Sequence, residues 1–178
     1  MVGRKAMGGS PARLTALVLT ALTVLGARPL CAQFDAGIPL GTKAPPVVIN
    51  DLDGKPVELG KLIGGKPLLL EFWATWCSLC KALLPQLEAV RKAYGDRVTL
   101  VGINVTVNES KPRVRRYLEE HKPPFLALYD ERGAGVRAYD VPGTSFIVVV
   151  DAAGKVAYTG SGQDQDLVAA VRKALRSP

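Results

Sequence analysis

Apolar runs broken by Gly, Pro and Asp outline the fold of this chain. Residues 68–73 are apolar except for Glu71 and show no polar alternation, the pattern of a central strand covered on both faces. Residues 98–103 and 125–129 read as a second and a third core strand. Residues 47–50 and 57–59 predict a β-hairpin, because the Asp53-Gly54 pair between them takes up positive φ readily. Residues 146–151 and 155–159 predict another, turning at Ala153-Gly154. Helical spacing links Leu83, Leu87, Val90 and Tyr94, with Gly95 as the stop and Pro85 expected to kink the helix. A second helix is expected from Ser110, with Pro112 in its first turn and Val114, Tyr117 and Leu118 facing inward. Asp164 or Gln165 is expected to open a last helix that buries Leu167, Val168, Val171 and Leu175. Its closing turns carry Arg172, Lys173 and Arg176, where the helix dipole favours cations. Strands alternating with helices, then an antiparallel hairpin and a helix, predict an α/β domain with a mixed central sheet. This domain takes in residues 47–178, after an extended arm over 33–46.

The first 32 residues follow other rules. Arg4, Lys5 and Arg13 precede an apolar stretch over 14–27, and Leu30-Cys31-Ala32 supplies an aliphatic and a small residue for signal peptidase. The stretch falls short of the roughly 20 residues that span a bilayer. An export signal cleaved after Ala32 is expected, and with it a periplasmic or otherwise extracytoplasmic location. Membrane attachment through an uncleaved signal or a lipid on Cys31 is the less favoured alternative. Charge adds little. The formal net charge is +7, but four of the 23 basic residues lie in this segment with no acid among them. The remaining excess is about +3, and no basic run is interleaved with aromatics, which argues against a nucleic-acid surface.

Removal of the signal leaves two cysteines, Cys77 and Cys80, and no methionine. A bridge across two intervening residues closes almost no loop, so its entropic stabilisation is minor and chemistry explains it better. The pair sits in Trp76-Cys77-Ser78-Leu79-Cys80, where a buried strand runs into a helix. There Cys77 meets unpaired amides and the positive end of the dipole, which favour an exposed, attacking thiolate. Cys80, one turn further in, is placed to resolve a mixed disulfide. Structural zinc needs four ligands, and the mature chain offers two thiols and the distant His121, so no metal site is expected. A Cu(I)-binding metallochaperone module using the same two thiolates is the alternative, although no methionine or histidine supports it near the motif.

The stretch Phe72-Trp73-Ala74-Thr75-Trp76-Cys77-x-x-Cys80-Lys81, with Pro85 in the helix, resembles the thioredoxin superfamily and its exported TlpA/ResA-like branch. The likeness extends through Gly41-Thr42-Lys43-Ala44-Pro45, Val101-Gly102-Ile103-Asn104-Val105 and Tyr139-Asp140-Val141-Pro142-Gly143-Thr144. It implies a thioredoxin-like fold with an N-terminal β-hairpin and a helix-strand insertion, here at about residues 106–130. It also implies a protein-disulfide oxidoreductase that exchanges disulfides with other exported proteins and with an upstream redox partner. Such an enzyme needs no cofactor beyond its own redox-active Cys77–Cys80 disulfide.

Glu71 occupies the position where thioredoxins carry a buried acid beneath the cysteines, which implies a proton acceptor for Cys80. Burial in so apolar a run raises a carboxyl pKa. Two positions depart from the family. Leu83 stands where ResA-like cytochrome c maturation reductases carry an acid. Ser145 stands where the family has a cis-proline. The Thr144–Ser145 peptide is therefore expected to be trans, because a non-proline cis bond costs about 2.5–4 kcal/mol. Trp76, Thr144 and Ser145 are expected to face the substrate.

Overall fold

The computed structural model describes residues 1–3 and 37–177. The expected export segment, its cleavage site after Ala32 and Cys31 lie outside the described residues, apart from Met1 to Gly3.

Strand β3 (Leu68–Trp73) is buried at all six positions, because it lies inside the sheet and both of its faces are covered. Seven strands form that sheet: β1 (Val48–Asp51), β2 (Pro56–Glu58), β3, β4 (Thr99–Asn104), β5 (Leu126–Tyr129), β6 (Phe146–Val150) and β7 (Val156–Ser161). Their spatial order is β2-β1-β5-β4-β3-β6-β7. The β3–β4 and β4–β5 pairs are parallel, and β1–β2, β1–β5, β3–β6 and β6–β7 are antiparallel. The sheet is mixed, as its sequence pattern predicts.

Alternation along β3 sends its side chains into two cores. Leu68, Leu70 and Phe72 join Val101, Ile103, Val148 and Val150, beneath Leu59 and Tyr139. Helix α3 (Ala134–Ala138) adds Val136 and Ala138 on this side. On the opposite face Leu69 meets Ile147, Val149 and Leu100 under helices α1 (Ser78–Tyr94) and α4 (Leu167–Arg176). Further along, Trp73 packs with Val114 and Tyr117 of helix α2 (Lys111–His121).

Several details differ from the sequence pattern. Asp166 caps α4 by accepting from the Ala169 amide, so the helix begins one or two residues later than expected. Its buried residues are Leu167, Ala170, Val171 and Ala174, with Val168 and Leu175 only partly covered. Leu126 is exposed and only the second half of β5 is buried. Residues 38–44 of the expected arm hydrogen-bond to the domain, Ile38 to the Tyr139 carbonyl and Ala44 to the Gly154 carbonyl.

Gly102 lies beside Glu71 in the β3–β4 register, and a Cβ there would overlap the Phe125 ring. Phe125 in turn packs on Trp73, with ring centroids 5.6 Å apart. Gly102→Ala should therefore lower stability by about 1–3 kcal/mol through overpacking. A urea unfolding midpoint equal to that of the parent protein would contradict this.

Candidate active site

The β3–α1 junction sets the position of the sulfurs. The chain leaves β3 at Trp73, turns through Ala74 and Thr75, and enters α1 with Cys77 as the N-cap residue. Cys77 and Cys80 form a disulfide, with Cα atoms 5.3 Å apart. The Cys80 amide donates to Cys77 Sγ at 3.0 Å, so an otherwise unpaired amide of the first helical turn is aimed at that sulfur. The same amide, with the helix dipole, stabilises negative charge on Cys77 once the bridge opens.

Exposure here differs from the sequence expectation. Cys77 is only 5% exposed and Cys80 3%, so neither sulfur stands clear of the surface in the disulfide state. The accessible surface of the motif belongs to Trp76, Ser78 and Leu79, with Trp76 48% and Leu79 46% exposed. The cysteines pack against Trp73, Ala74, Val114, Tyr117 and Tyr129, which shield the bridge from beneath.

A clamp not foreseen from sequence fixes the turn before Cys77. The Glu109 carboxylate accepts from the Thr75 amide and from Thr75 Oγ1, the latter at 3.0 Å. Trp76 Nε1 donates to the Val107 carbonyl at 2.7 Å. Three bonds thus tie the 105–109 segment to residues 75 and 76. The only hint in the sequence is an acid set among polar residues after a buried strand, just ahead of the Ser110 cap.

Glu71 is 1% exposed, and neither carboxylate oxygen has a hydrogen-bond partner among the described residues. Burial pushes its pKa from 4.5 up to about 8. It shares a sheet face with Trp73, the face that carries the cysteines and α2. Tyr117, tilted against Trp73 at 5.2 Å between centroids, is pushed up to about 12 by burial and by the Glu71 charge. Trp73 Nε1 and Ser145 Oγ are likewise buried without partners. Ser145 lies one step beyond the Phe72–Phe146 pair, opposite Trp73. Of these residues, Trp73 packs in the same cluster as the two cysteines.

The Thr144–Ser145 peptide is trans, as are all others among the described residues. Thr144 is partly buried and lines a groove with Trp76. Ser145 is fully buried in the disulfide state, which corrects the expectation that it faces the substrate. Its φ is 59°, in the left-handed region. Proline is locked near −65° and does not fit there without rebuilding the loop. Leu83, on the buried face of α1, lies in the core, where an acid would find no water. His121 ends α2, stacked on Tyr117 at 4.1 Å, and is exposed. Among the described residues, no group of three or more His, Cys, Asp and Glu side chains is placed to hold a metal ion.

Residues 39–175 match the Redoxin family. This chain belongs to that family. Within it the chain is of the TlpA/ResA-like type of the thioredoxin superfamily. Thiol-disulfide oxidoreductase ResA of Bacillus subtilis is 31% identical over 151 residues, covering 83% of each chain. The thioredoxin-like protein YneN of Bacillus subtilis is 35% identical over 100 residues, 56% of this chain. The match spans only 58% of the length of YneN. Among solved structures, a secreted Mycobacterium tuberculosis disulfide oxidoreductase homologous to Escherichia coli DsbE superposes with a TM-score of 0.61 at 28% identity. That superposition covers 71% of this redoxin and 95% of the other chain.

Two stability experiments follow from this geometry. Because the folded-state pKa of Glu71 lies above its unfolded value, the folded form binds a proton the unfolded chain releases. Stability should fall between pH 4.5 and about 8, by at most about 1.4 kcal/mol per pH unit, and then level off. Glu71→Gln should flatten that limb in urea titrations of the disulfide form; parallel pH profiles for the two proteins would refute the assignment. Ser145→Gly should stabilise by about 1 kcal/mol, since it relieves left-handed strain and removes an unpaired buried hydroxyl, whereas Ser145→Pro should destabilise. Thermal midpoints in the reverse order would overturn this reading of the loop.

Proposed function

We propose that this redoxin is an extracytoplasmic protein-disulfide oxidoreductase that exchanges disulfides with other exported proteins through Cys77 and Cys80. The observation that carries the reading is the Cys77–Cys80 disulfide at a helix N-terminus above a buried carboxyl of raised pKa. The redox group is the cysteine pair itself, and no diffusible cofactor takes part. Export rests on the apolar N-terminal segment and on the secreted relative from Mycobacterium tuberculosis.

In the reducing direction, the Cys77 thiolate attacks one sulfur of a client disulfide and expels the other as a thiolate. Cys80 then gives its proton to Glu71 and attacks Cys77 Sγ. The second client sulfur leaves, and the protein holds the Cys77–Cys80 bond. Two electrons pass to the client, and an upstream dithiol restores the pair. Oxidation of a client runs through the same intermediate in reverse. Cys77 is the attacking sulfur because the Cys80 amide and the helix start stabilise its charge. Trp76 and Thr144 line a groove that begins at the residue before Cys77.

Glu71 accepts a proton only when ionised, so resolution by Cys80 should accelerate as pH rises through about 8. The purified protein should catalyse reduction of insulin by dithiothreitol, and Cys77→Ser should abolish this. Cys80→Ala should accumulate mixed disulfides with client proteins through Cys77. Glu71→Gln should slow resolution on the order of 10²-fold and remove the pH limb near 8. In the reduced protein, iodoacetamide should alkylate Cys77 before Cys80. Absence of insulin turnover would overturn the function, and first labelling at Cys80 would overturn the order of attack.

A further inference from the structure

A groove of about 460 Å³ opens beside the motif, within the range of built ligand sites. Trp76 and Val107 form one wall, and Val136, Val141, Pro142 and Thr144 contribute to the other. Trp76 and Val107 are among the most exposed large apolar side chains of the domain, at 48% and 57%. Both walls are held in place. The Trp76 indole is bonded to the Val107 carbonyl, and the Glu109 clamp fixes the residue before it. On the far side, Asp130 accepts from the Ala134 and Val136 amides, the Val141 amide bonds to the Val136 carbonyl, and Tyr139 is buried.

Among the described residues, Arg137 is the one charged residue lining this apolar groove. Its Nη1 reaches back over Gly133, 3.1 Å from where a Cβ would stand, so the guanidinium lies along the lining. Among the described residues no carboxylate is within salt-bridge distance of it. Asp130 is occupied by backbone amides, and Asp140 does not line the groove. An uncompensated cation at the end of an apolar trough complements a chain segment that presents an apolar side chain and a carboxylate together.

We propose that Arg137 selects among clients at this groove, pairing with an Asp or Glu near the client cysteine while a neighbouring apolar side chain packs against Trp76, Val107 and Val141. The inference deepens the disulfide-exchange reading, on which the presence of a client rests, by assigning that client an acidic and apolar flank. Trp76 directly precedes Cys77, so a client seated in the groove lies next to the motif. Arg137 acts on client choice and not on the sulfur chemistry.

The test separates docking from redox turnover by using peptides that cannot react. Fluorescein-labelled hexapeptides carry Ser in place of cysteine and a Leu followed by Glu, Gln or Lys, and binding to the full chain is read by anisotropy. The Glu peptide should bind about three- to fivefold tighter than the Gln peptide, with the Lys peptide weakest. The discrimination should shrink at about 0.5 M salt. Arg137→Gln should level the series and Arg137→Glu should invert it; near-ultraviolet circular dichroism checks that each variant keeps its packing. Equal affinity for the three peptides, absence of binding, or an unchanged order in Arg137→Glu would overturn the proposal. So would peptide binding that falls as protein concentration rises, which would mean that a second copy of the chain fills the groove. Insulin turnover, measured separately on the parent protein, reports on the oxidoreductase reading alone.

Discussion

Cys77 Sγ accepts the Cys80 amide at the point where a strand buried on both faces gives way to a helix, and the site is organised around that bond. A central strand cannot shift without displacing side chains in two cores, so its last residue is a fixed point. Trp73 is that residue, and the turn after it offers little slack before α1 begins. The helix places an unpaired amide and its positive end at Cys77. The disulfide therefore occupies the position in the fold that most favours one of its sulfurs as a thiolate.

The same rigidity explains how a carboxyl persists in the core. Glu71 takes a position in β3 that hydrophobic packing would otherwise fill, and it has no protein partner. Burial makes its ionised form costly, which raises its pKa to about 8 and lets it hold or release a proton near physiological pH. Gly102, beside it in the neighbouring strand, leaves room for the Phe125 ring, which links this region to Trp73. Stability is sacrificed at one point, and the surrounding apolar layers compensate for it.

Access to the sulfurs is governed from outside the motif. Glu109 and Val107, on the segment after β4, hold Thr75 and Trp76 in place across more than 30 residues of sequence. The loop over 141–145 closes the opposite side through a left-handed Ser145 and a trans peptide, an arrangement unlike a cis-proline turn. The result is a preformed apolar groove beside the motif, with Arg137 as its one cation among the described residues.

Local pattern alone determined the strands, the hairpins, the three longer helices and the cysteine junction. Each depends on apolar periodicity, a Gly or Asp-Gly turn, or a cap within a few residues. The raised pKa of Glu71 was legible for the same reason, since an acid inside an unbroken apolar run has nowhere solvated to go. The five-residue helix α3 was not, because it is too short to show a period and carries Gly135. Nor was the exposure of Leu126, which depends on its place at one end of β5. Tertiary structure alone brought Glu109 to Thr75, buried Cys77 beneath its neighbours and turned Ser145 inward with positive φ. It also assembled Trp76, Val107, Arg137 and Val141 into one groove. Those contacts join segments 30 to 65 residues apart, and no local periodicity records which distant side chains the packing of a sheet will bring together.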